Sequence, residues 1–371
     1  MKFSINKKNF YNSLIEHNKV VPLRTTLPIL SCVVLVVKKE TLTLKTSDLE
    51  QTIISDQKIK TEKEGAIALP IGKLLEIVSV LKDENIKISC NEDFLVEINS
   101  SQGVYKITGK TSEDFPETPT PQVKQTVRIK GEDFINIIEK TGYAASKDDL
   151  KPALCGVYFN FKENQITAVA TDGHKLVKHE QEVKEKTTDS LSIVLPIKFL
   201  NIVKTITENK EEVVVKIGEN HAQTEQKNFT LITRTIKEAF PDFNSVIPDN
   251  NKTVAEVDTQ EIVDCLKRVS IFSNKTTKQT ILSFSTKGVM LSAQDIETST
   301  SAKEHLDCIF NGDEITTSYN AKYLMEVIQY LGGKKTNIYL SSALTAAVFQ
   351  TKENKEKEKT TSLLMPIRIN Q

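Results

Sequence analysis

One pattern occurs three times along this chain of 371 residues, and that repeat constrains the fold more than any other feature. An acidic residue preceded by small residues follows a strand-like run at Asp48, Asp172 and Asp295, which are 124 and 123 residues apart. Self-similarity at a fixed period is the signature of a chain built from copies of one unit. The spacing predicts three copies of about 125 residues each.

Two further markers have the same spacing. A strand that leads into an amphipathic helix recurs with a lysine in its first turn, and an apolar residue followed by proline recurs near the end of each copy. The lysines are Lys73, Lys198 and Lys322, and the prolines are Pro116, Pro241 and Pro366. Together the three series predict domains at residues 1–125, 126–252 and 253–371.

Each copy is predicted to open with a helix and to continue with short strands. The segment after Gly131 places Phe134, Ile137 and Ile138 on one face, and Asp258 is a plausible N-cap for the third copy. Strand-like alternation follows, as in residues 213–217. The pattern predicts an α+β fold with two helices and many strands per copy. A solenoid or an open array would also repeat, so the pattern alone does not predict a ring.

Composition excludes several classes of protein. The 49 basic and 49 acidic residues give a formal net charge of +0, so any binding to nucleic acid requires segregation of the two signs onto different faces. The five cysteines are far apart, form no Cys-x-x-Cys pair, and are expected to be reduced thiols. The longest purely apolar run, residues 32–37, is too short to span a bilayer, and the N-terminus has no signal-type core.

The stretch Thr171-Asp172-Gly173-His174 first suggests catalysis, because both Asp and His side chains move protons and Gly permits a sharp turn. A hydrolase using Asp172 and His174 is therefore one hypothesis. The repeat opposes it, because Asp48 and Asp295 have no histidine two residues later, so the acid is predicted to stabilise a turn common to all copies. The run 103–109 has five residues between its glycines where a phosphate-binding loop has four. No cofactor and no metal site are predicted.

The whole chain resembles the bacterial DNA polymerase III β subunits, the family of sliding clamps. The resemblance is carried by the repeat, by the length, and by motifs at residues 1–3, 26–30, 46–50, 170–176, 240–243 and 365–368. It implies a head-to-tail homodimer whose six similar domains close a ring around duplex DNA, with helices lining the hole. It implies no catalytic site. The partners that it implies are double-stranded DNA, the replicative polymerase, an ATP-dependent clamp loader and other proteins with a clamp-binding motif.

The resemblance also implies a pocket between the second and third domains that takes a short, mostly apolar peptide from a partner. Its walls, carried over by motif, are Leu154, Thr171, Gly173, His174, Lys175, Leu176, Pro241, Val246, Leu344, Leu363, Met365, Pro366, Ile367 and Arg368. Apolar walls with a few polar groups suit such a ligand. Lys175 stands where the family commonly has Arg, and Ser245 where a basic residue is frequent, so planar, bidentate recognition of the peptide is weakened.

The resemblance implies two other surfaces. The ring seam is expected to place Tyr105 against Ile271 and Phe272 of the other subunit. Sequence-independent binding to DNA phosphates is expected from Arg24, and charge and position add Lys73, Lys147, Lys151 and Lys198. A cytoplasmic, nucleoid-associated protein with no membrane partner is expected. A tandem-repeat DNA-binding protein that never closes a ring remains the other alternative to the hydrolase.

Overall fold

The structure is a computed structural model that describes residues 1–248, 251, 253–353 and 357–369, with the side chains of 184–189 outside the description. Residue 252, at the end of the predicted second domain, is therefore not described. No helix in the described residues is long and apolar enough to cross a membrane.

Six helices occur in the described residues, two in each predicted copy, as the sequence predicts. Asn6, Asp258 and Asn320 cap three of them, because their side-chain oxygens accept backbone N–H groups of the first turn. The helices are α1 (Lys7–Asn18), α2 (Ile71–Val80), α3 (Gly131–Gly142), α4 (Ile197–Ile206), α5 (Thr259–Val269) and α6 (Ala321–Leu331).

Strands form the rest of the architecture, and every strand pair within the described ranges is antiparallel. In chain order they are β1 (Lys2–Asn6), β2 (Cys32–Lys38), β3 (Thr41–Ser47), β4 (Gln51–Lys58), β5 (Lys60–Lys63), β6 (Gly65–Pro70), β7 (Asn85–Cys90), β8 (Leu95–Asn99), β9 (Val104–Thr108), β10 (Val123–Lys130), β11 (Gly156–Thr171), β12 (Lys175–Pro196), β13 (Glu212–Gly218), β14 (His221–Gln226), β15 (Phe229–Arg234), β16 (Thr253–Asp258), β17 (Gln279–Ser285), β18 (Gly288–Asp295), β19 (Thr300–Leu306), β20 (Cys308–Asn311), β21 (Ile315–Asn320), β22 (Lys335–Leu340), β23 (Ala347–Thr351) and β24 (Glu358–Leu364). The α+β prediction is confirmed.

The chain divides into two compact units. Unit 1 comprises Met1–Ile135 and Lys198–Thr235. It holds a five-stranded sheet in the order β5-β1-β7-β8-β9 and an eight-stranded sheet in the order β10-β13-β14-β15-β4-β3-β2-β6. The larger sheet joins the first and second predicted copies through β4 and β15, where Ile53 pairs with Leu231. The apolar faces of α1 and α2 complete a buried core with these strands.

Unit 2 comprises Asn136–Ile197 and Ile236–Gln371. Its seven-stranded sheet has the order β11-β12-β24-β23-β22-β16-β20, and its four-stranded sheet has the order β19-β18-β17-β21. The larger sheet joins the second and third predicted copies through β12 and β24, where Val177 pairs with Ser362. The apolar faces of α5 and α6 pack into one core with strands of both sheets.

The structure corrects one marker of the repeat. Pro116 and Pro241 follow the ends of β9 and β15 by eight and seven residues, whereas Pro366 follows the end of β24 by only two. The third proline is therefore not at the equivalent place in its copy. The last copy has extra residues before β24, and these offset the shorter distance from β24 to Pro366, so the spacing of the prolines is kept. The predicted domain boundaries are based on the repeat, whereas the two compact units are defined by packing. The units do not test the boundaries, which stay a prediction.

Candidate functional site

The loop between β11 and β12 in unit 2 is a tight turn built around Asp172. Its Oδ1 accepts the backbone N–H groups of His174 and Lys175, each at 2.9 Å. The Thr171 hydroxyl donates to the Lys175 carbonyl at 2.7 Å and accepts the Gly173 N–H. Gly173 has a φ of +89°, a conformation that glycine adopts without strain. The sequence therefore forms this turn locally.

The same turn occurs between β3 and β4 in unit 1. Asp48 Oδ1 accepts the N–H groups of Glu50 and Gln51 at 3.0 and 2.6 Å, and the Ser47 hydroxyl donates to the Gln51 carbonyl at 2.8 Å. In unit 2, Asp295 accepts the N–H of Glu297 at 3.2 Å. The prediction that the acid stabilises a turn in every copy is confirmed.

Catalysis by Asp172 and His174 is wrong on this geometry. Both oxygens of Asp172 bind other groups, since Oδ2 accepts the Lys175 ammonium at 2.8 Å. The exposed ring of His174 instead stacks on Tyr323 of α6, with centroids 5.9 Å apart. Among the described residues, no three His, Cys, Asp or Glu side chains are grouped so that they could hold a metal ion.

Lys175 is buried, with only 6% of its side chain exposed. Its ammonium lies 2.8 Å from Asp172, 3.2 Å from Glu326 of α6, and 4.3 Å from the centroid of the Tyr323 ring. Burial alone lowers the pKa of a lysine, but the hydrogen bond to Asp172 and the charges of both carboxylates outweigh it, so the pKa of Lys175 is raised. The charge of Lys175 therefore binds the turn to α6.

An apolar cluster lies beside this turn, and we call it the outer apolar cluster. Its buried members are Val169, Leu176, Ala346, Val348 and Leu363, and the half-buried side chains packed on it are Tyr158, Phe240, Phe243, Ile247 and Tyr339. The Tyr158 ring stacks on Phe240 with centroids 5.4 Å apart. These aromatic rings hold residues 240–247 against the sheet.

Large apolar side chains remain exposed around the outer apolar cluster. Val246, beside Ile247, is 52% exposed, and Leu344, two residues before Ala346, is 65% exposed. Met365 directly follows β24 and is 50% exposed. An exposed apolar surface next to a buried apolar floor is typical of a site that binds another molecule.

The C-terminal segment is fixed by backbone hydrogen bonds. The Met365 N–H donates to the His174 carbonyl at 2.9 Å, and the Ile367 N–H donates to the Ser318 carbonyl at 2.8 Å. The Ser318 hydroxyl donates to the Ile367 carbonyl at 2.7 Å. Gln279 donates to the Arg368 carbonyl at 3.2 Å, and the Arg368 side chain stays exposed.

The predicted pocket residues all belong to unit 2, and the structure sorts them by exposure. Thr171, Lys175, Leu176 and Leu363 are buried, and Leu154, Pro366 and Ile367 are half-buried. The exposed members are Gly173, His174, Pro241, Val246, Leu344, Met365 and Arg368. Ser245, where a basic residue was expected from the family, donates to the Asp242 carbonyl at 2.9 Å. Their role in binding a peptide stays a prediction.

The predicted DNA-binding residues are all exposed. Arg24, Lys73 and Lys198 belong to unit 1, and Lys147 and Lys151 belong to unit 2. Lys73 forms an exposed ion pair with Glu76 at 2.9 Å, one turn along α2. The other four form no ion pair with any residue in the described ranges. Among the described residues, therefore, no ion pair offsets the charge of these four.

The predicted seam residues lie beside unpaired sheet edges. Tyr105 is half-buried in β9, the edge of the five-stranded sheet of unit 1. Ile271 and Phe272, 77% and 37% exposed, lie in a 3₁₀ turn that packs against β18 and β19, and β19 is an edge of the four-stranded sheet of unit 2. An edge strand with adjacent exposed apolar residues favours pairing with another chain.

Two buried histidines lie near the strand pairs that join the copies. In unit 1, His17 contacts the hydroxyls of Thr46 and Ser55 at 3.0 and 2.8 Å, and burial lowers its pKa to about 3. In unit 2, His179 contacts the Thr360 hydroxyl at 2.8 Å. Burial lowers the pKa of His179 to about 4, although the charge of Glu358 opposes the shift. Both rings are therefore neutral at pH 7.

The sequence does not reveal the residues of α6 that contact the Asp172 turn and hold it in place. Tyr323 and Glu326 lie on α6, about 150 residues from the turn that they hold. The one local signal for Glu326 is its i,i+4 spacing from Lys322, which indicates only an exposed helix pair. Non-local contacts of this kind are not encoded in a short motif.

Three family models match the chain in order and together span nearly all of it. They are described as the DNA polymerase III beta subunit N-terminal domain at residues 1–119, the central domain at 128–242, and the C-terminal domain at 244–368. The order and spacing agree with the threefold repeat.

Similar proteins share the full length of the chain. The beta sliding clamp of Vibrio cholerae is 25% identical over 370 residues, covering 100% of both chains. The beta sliding clamp of Bacillus subtilis is 26% identical over 384 residues, covering 99% of this chain and 100% of the relative.

Solved structures share the fold. A DnaN sliding clamp from Pseudomonas aeruginosa bound to griselimycin has a TM-score of 0.94 at 24% identity, and the Bacillus subtilis DNA polymerase sliding clamp has a TM-score of 0.95 at 24% identity. Both matches cover 100% of each chain. The repeat, the three consecutive family models and the shared fold lead to one conclusion: the chain belongs to the DNA polymerase III beta subunit family.

Proposed function

We propose that this chain is a DNA sliding clamp, a processivity factor without catalytic activity that closes a ring around duplex DNA as a homodimer. It holds the replicative polymerase and other partners on the template through a peptide pocket at the outer apolar cluster. An ATP-dependent loader opens the ring. Cytoplasmic location and association with the nucleoid belong to the same proposal.

The pairing of equivalent strands carries the proposal. β4, β12 and β19 follow the acidic turn of each copy, and β9, β15 and β24 come last among the strands of each copy. Inside the chain, β4 pairs with β15 and β12 pairs with β24. One strand of each kind is left over, and both leftover strands, β9 and β19, are sheet edges. A second chain in head-to-tail order supplies the missing partner of each.

The pairs already formed also predict the register of the seam. Ile53, Val177 and Ala302 are equivalent because each pairs with the residue two before the acid of its turn. Leu231 and Ser362 are the partners of the first two. Ile236 and Ile367 lie five residues after these two partners, and each donates a backbone hydrogen bond to the strand that precedes the second helix of its copy. Lys110 donates the same kind of bond in the first copy. Tyr105, five residues before Lys110, is therefore the equivalent of Leu231 and Ser362. Tyr105 is therefore expected to face Ala302 of a second copy.

Retention on DNA tests ring closure. The loader and ATP place the protein on nicked circular DNA, and half of the sample is then linearised with a restriction nuclease. A ring that binds phosphates without reading bases slides off the open ends, so retention is lost from the linear DNA alone. Equal retention on both forms would support the alternative of an open DNA-binding array.

A disulfide tests the seam register. Tyr105→Cys combined with Ala302→Cys is expected to crosslink two chains under mild oxidation, because facing residues in an antiparallel pair have Cα atoms about 4.5–5.5 Å apart, within disulfide range. The matched control, Tyr105→Cys with Glu304→Cys, is shifted by two residues and should crosslink poorly. Equal crosslinking of the two variants contradicts the register.

The pocket is tested with a known ligand of related clamps. Clamps from Pseudomonas aeruginosa and Bartonella birtlesii have been solved bound to griselimycin. Griselimycin is expected to bind this chain and to displace a labelled partner peptide. His174→Ala should weaken both ligands without affecting ring closure, because His174 lies at the pocket and not at the seam. Unchanged affinity for both ligands would place the pocket elsewhere.

A further inference from the structure

The outer face of the seven-stranded sheet carries ordered rows of side chains across β12, β24 and β23. In the first row, Leu176 pairs with Leu363, and Leu363 pairs with Val348. All three belong to the outer apolar cluster. Because side chains alternate along a strand, the next residues on this face are two positions further along each strand.

The second row is polar and the third is charged. Lys178 pairs with Thr361, and the Gln350 amide donates to the Thr361 hydroxyl at 3.0 Å. Beyond them, Glu180 pairs with Lys359. The face therefore changes from apolar to polar to charged with distance from the outer apolar cluster.

A cavity of 440 Å³ covers the polar and charged rows. We call it the polar compartment, and the structure lines it with the side chains of these two rows and with Val348, Ile247, Pro248, Asn251 and Tyr339. Val348, Ile247 and Tyr339 also belong to the outer apolar cluster. The polar compartment is therefore continuous with the proposed peptide pocket.

The polar compartment carries one excess positive charge. Lys178 lies 3.0 Å from Glu180, which offsets it. Lys359 is exposed and forms no ion pair with any residue in the described ranges. The Oδ1 atom of Asn251 is buried and accepts no hydrogen bond in the described part of the chain. An unsatisfied buried acceptor is costly, so this atom favours a ligand that brings an N–H group.

We propose that the polar compartment is a second subsite of the peptide pocket, which takes acidic residues flanking the apolar anchor of a partner protein. The inference rests on the proposed function. Lys359 attracts the carboxylate of the flank, and Asn251 accepts a backbone N–H group from the bound segment. Lys178 contributes less, because Glu180 already neutralises it.

Strand geometry predicts the spacing between anchor and acid. Successive rows on one face are about 6.7 Å apart, so the charged row lies about 13 Å from the apolar row. An extended peptide covers that distance in about four residues. An acid about four residues from the apolar anchor should therefore bind best.

The test uses fluorescein-labelled peptides with one Leu-Ala-Leu-Phe core and a flank of either Glu-Glu or Gln-Gln placed four residues away, on either side. Fluorescence anisotropy with the full-length protein measures their affinities. We expect one Glu-Glu peptide to bind about fivefold more tightly than its Gln-Gln counterpart, the upper range for an exposed ion pair. The preference should collapse in 1 M salt, where charges are screened beyond about 3 Å.

Three variants assign the preference to the polar compartment. Lys359→Gln should abolish it, and Glu180→Gln should increase it because Lys178 is then freed. Lys357→Gln makes the same charge change at an exposed position outside the cavity, and it should leave the preference unchanged.

The outcomes separate the two proposals. Tight binding without a difference between Glu-Glu and Gln-Gln flanks, or an equal loss in Lys357→Gln and Lys359→Gln, overturns the polar compartment alone. Failure of all peptides and of griselimycin to bind overturns the proposed pocket and the polar compartment with it. Displacement of the Glu-Glu peptide by a short oligonucleotide, without displacement of the Gln-Gln peptide, would mean that the lysines bind phosphates instead.

Discussion

The turns at Asp48 and Asp172 share their backbone geometry and differ in what surrounds them. Each is followed by a strand that pairs with a strand of the next copy, and each accepts one further backbone N–H, from Arg234 to Glu50 in unit 1 and from Met365 to His174 in unit 2. In unit 1 the two residues joined by this hydrogen bond are charged, and the side chains of Glu50 and Arg234 lie 3.7 Å apart. In unit 2 the two residues are an exposed methionine and an exposed histidine.

The two turns therefore share one backbone structure, and the side chains around each turn determine what it can bind. A charged pair stays hydrated and offers little surface to an apolar peptide. Met365 lies two residues after Leu363 of the outer apolar cluster, and the buried Lys175 fastens the turn to α6. Four predictions test this comparison.

The largest expected effect is on stability. Asp172→Ala should lower the free energy of unfolding by about 3 kcal/mol, because it removes the turn acceptor and leaves the Lys175 ammonium with one carboxylate fewer. Asp48→Ala should cost about 1–2 kcal/mol, because that carboxylate accepts only backbone N–H groups. Urea denaturation of both variants measures the difference. Equal losses would show that Lys175 does not depend on Asp172.

The next prediction concerns ligand binding. Met365→Asp should lower the affinity for griselimycin or an apolar peptide about 30-fold, since burial of one such side chain contributes about 2 kcal/mol. Arg234→Asp, at the equivalent position in unit 1, is the matched control and should leave the affinity unchanged. Isothermal titration calorimetry checks both. A similar loss in the control would remove the distinction between the two turns.

The two buried histidines predict a similar response to acid in both units. Their folded-state pKa values, about 3 for His17 and about 4 for His179, lie below the usual value of 6.5. The neutral ring is therefore favoured by folding, so its stabilisation is complete above pH 6.5 and is lost as the pH falls below that value. Each histidine should therefore lower the free energy of unfolding by about 2 kcal/mol between pH 7 and pH 5.

Substitution isolates each contribution. The stability gap between the wild type and His17→Gln should shrink by about 2 kcal/mol from pH 7 to pH 5, and the gap for His179→Gln should shrink similarly. Urea denaturation at the two pH values provides the measurement. A gap that does not change with pH would mean that the ring in question is already solvated.

The smallest expected effect concerns backbone strain in the two turns. Leu49 has a φ of +78° where its counterpart Gly173 has +89°. Gly173→Ala should cost about 1 kcal/mol through conformation alone, because no atom lies within 4 Å of the added Cβ. Leu49→Asn should stabilise unit 1 by about 0.5 kcal/mol, since asparagine tolerates this conformation. Thermal unfolding detects both changes, and a stabilised Gly173→Ala variant or a destabilised Leu49→Asn variant would contradict the equivalence of the turns.

The sequence by itself determined the features that local chemistry controls. The acidic turns depend on one carboxylate and the N–H groups two and three residues later, and the helices depend on apolar spacing and N-caps such as Asp258. Both act over a few residues, so the repeat and the α+β class could be predicted. The resemblance supplied the predicted pocket residues, most of which are grouped in short motifs at residues 171–176 and 365–368, and their role stays a prediction.

Only the tertiary structure decided which strands join the copies and which groups are neutralised. Strand pairing is non-local, so no short motif encodes that β4 pairs with β15 and leaves β9 as an edge. The shifted Pro366 shows that equal spacing does not ensure an equal place in the fold. Lys175 was predicted as a wall of the pocket, and only the structure shows that Glu326 and Tyr323, brought to it by packing of α6, lie against its charge. A side chain's charge is read from the sequence, but its availability depends on the neighbours that folding supplies.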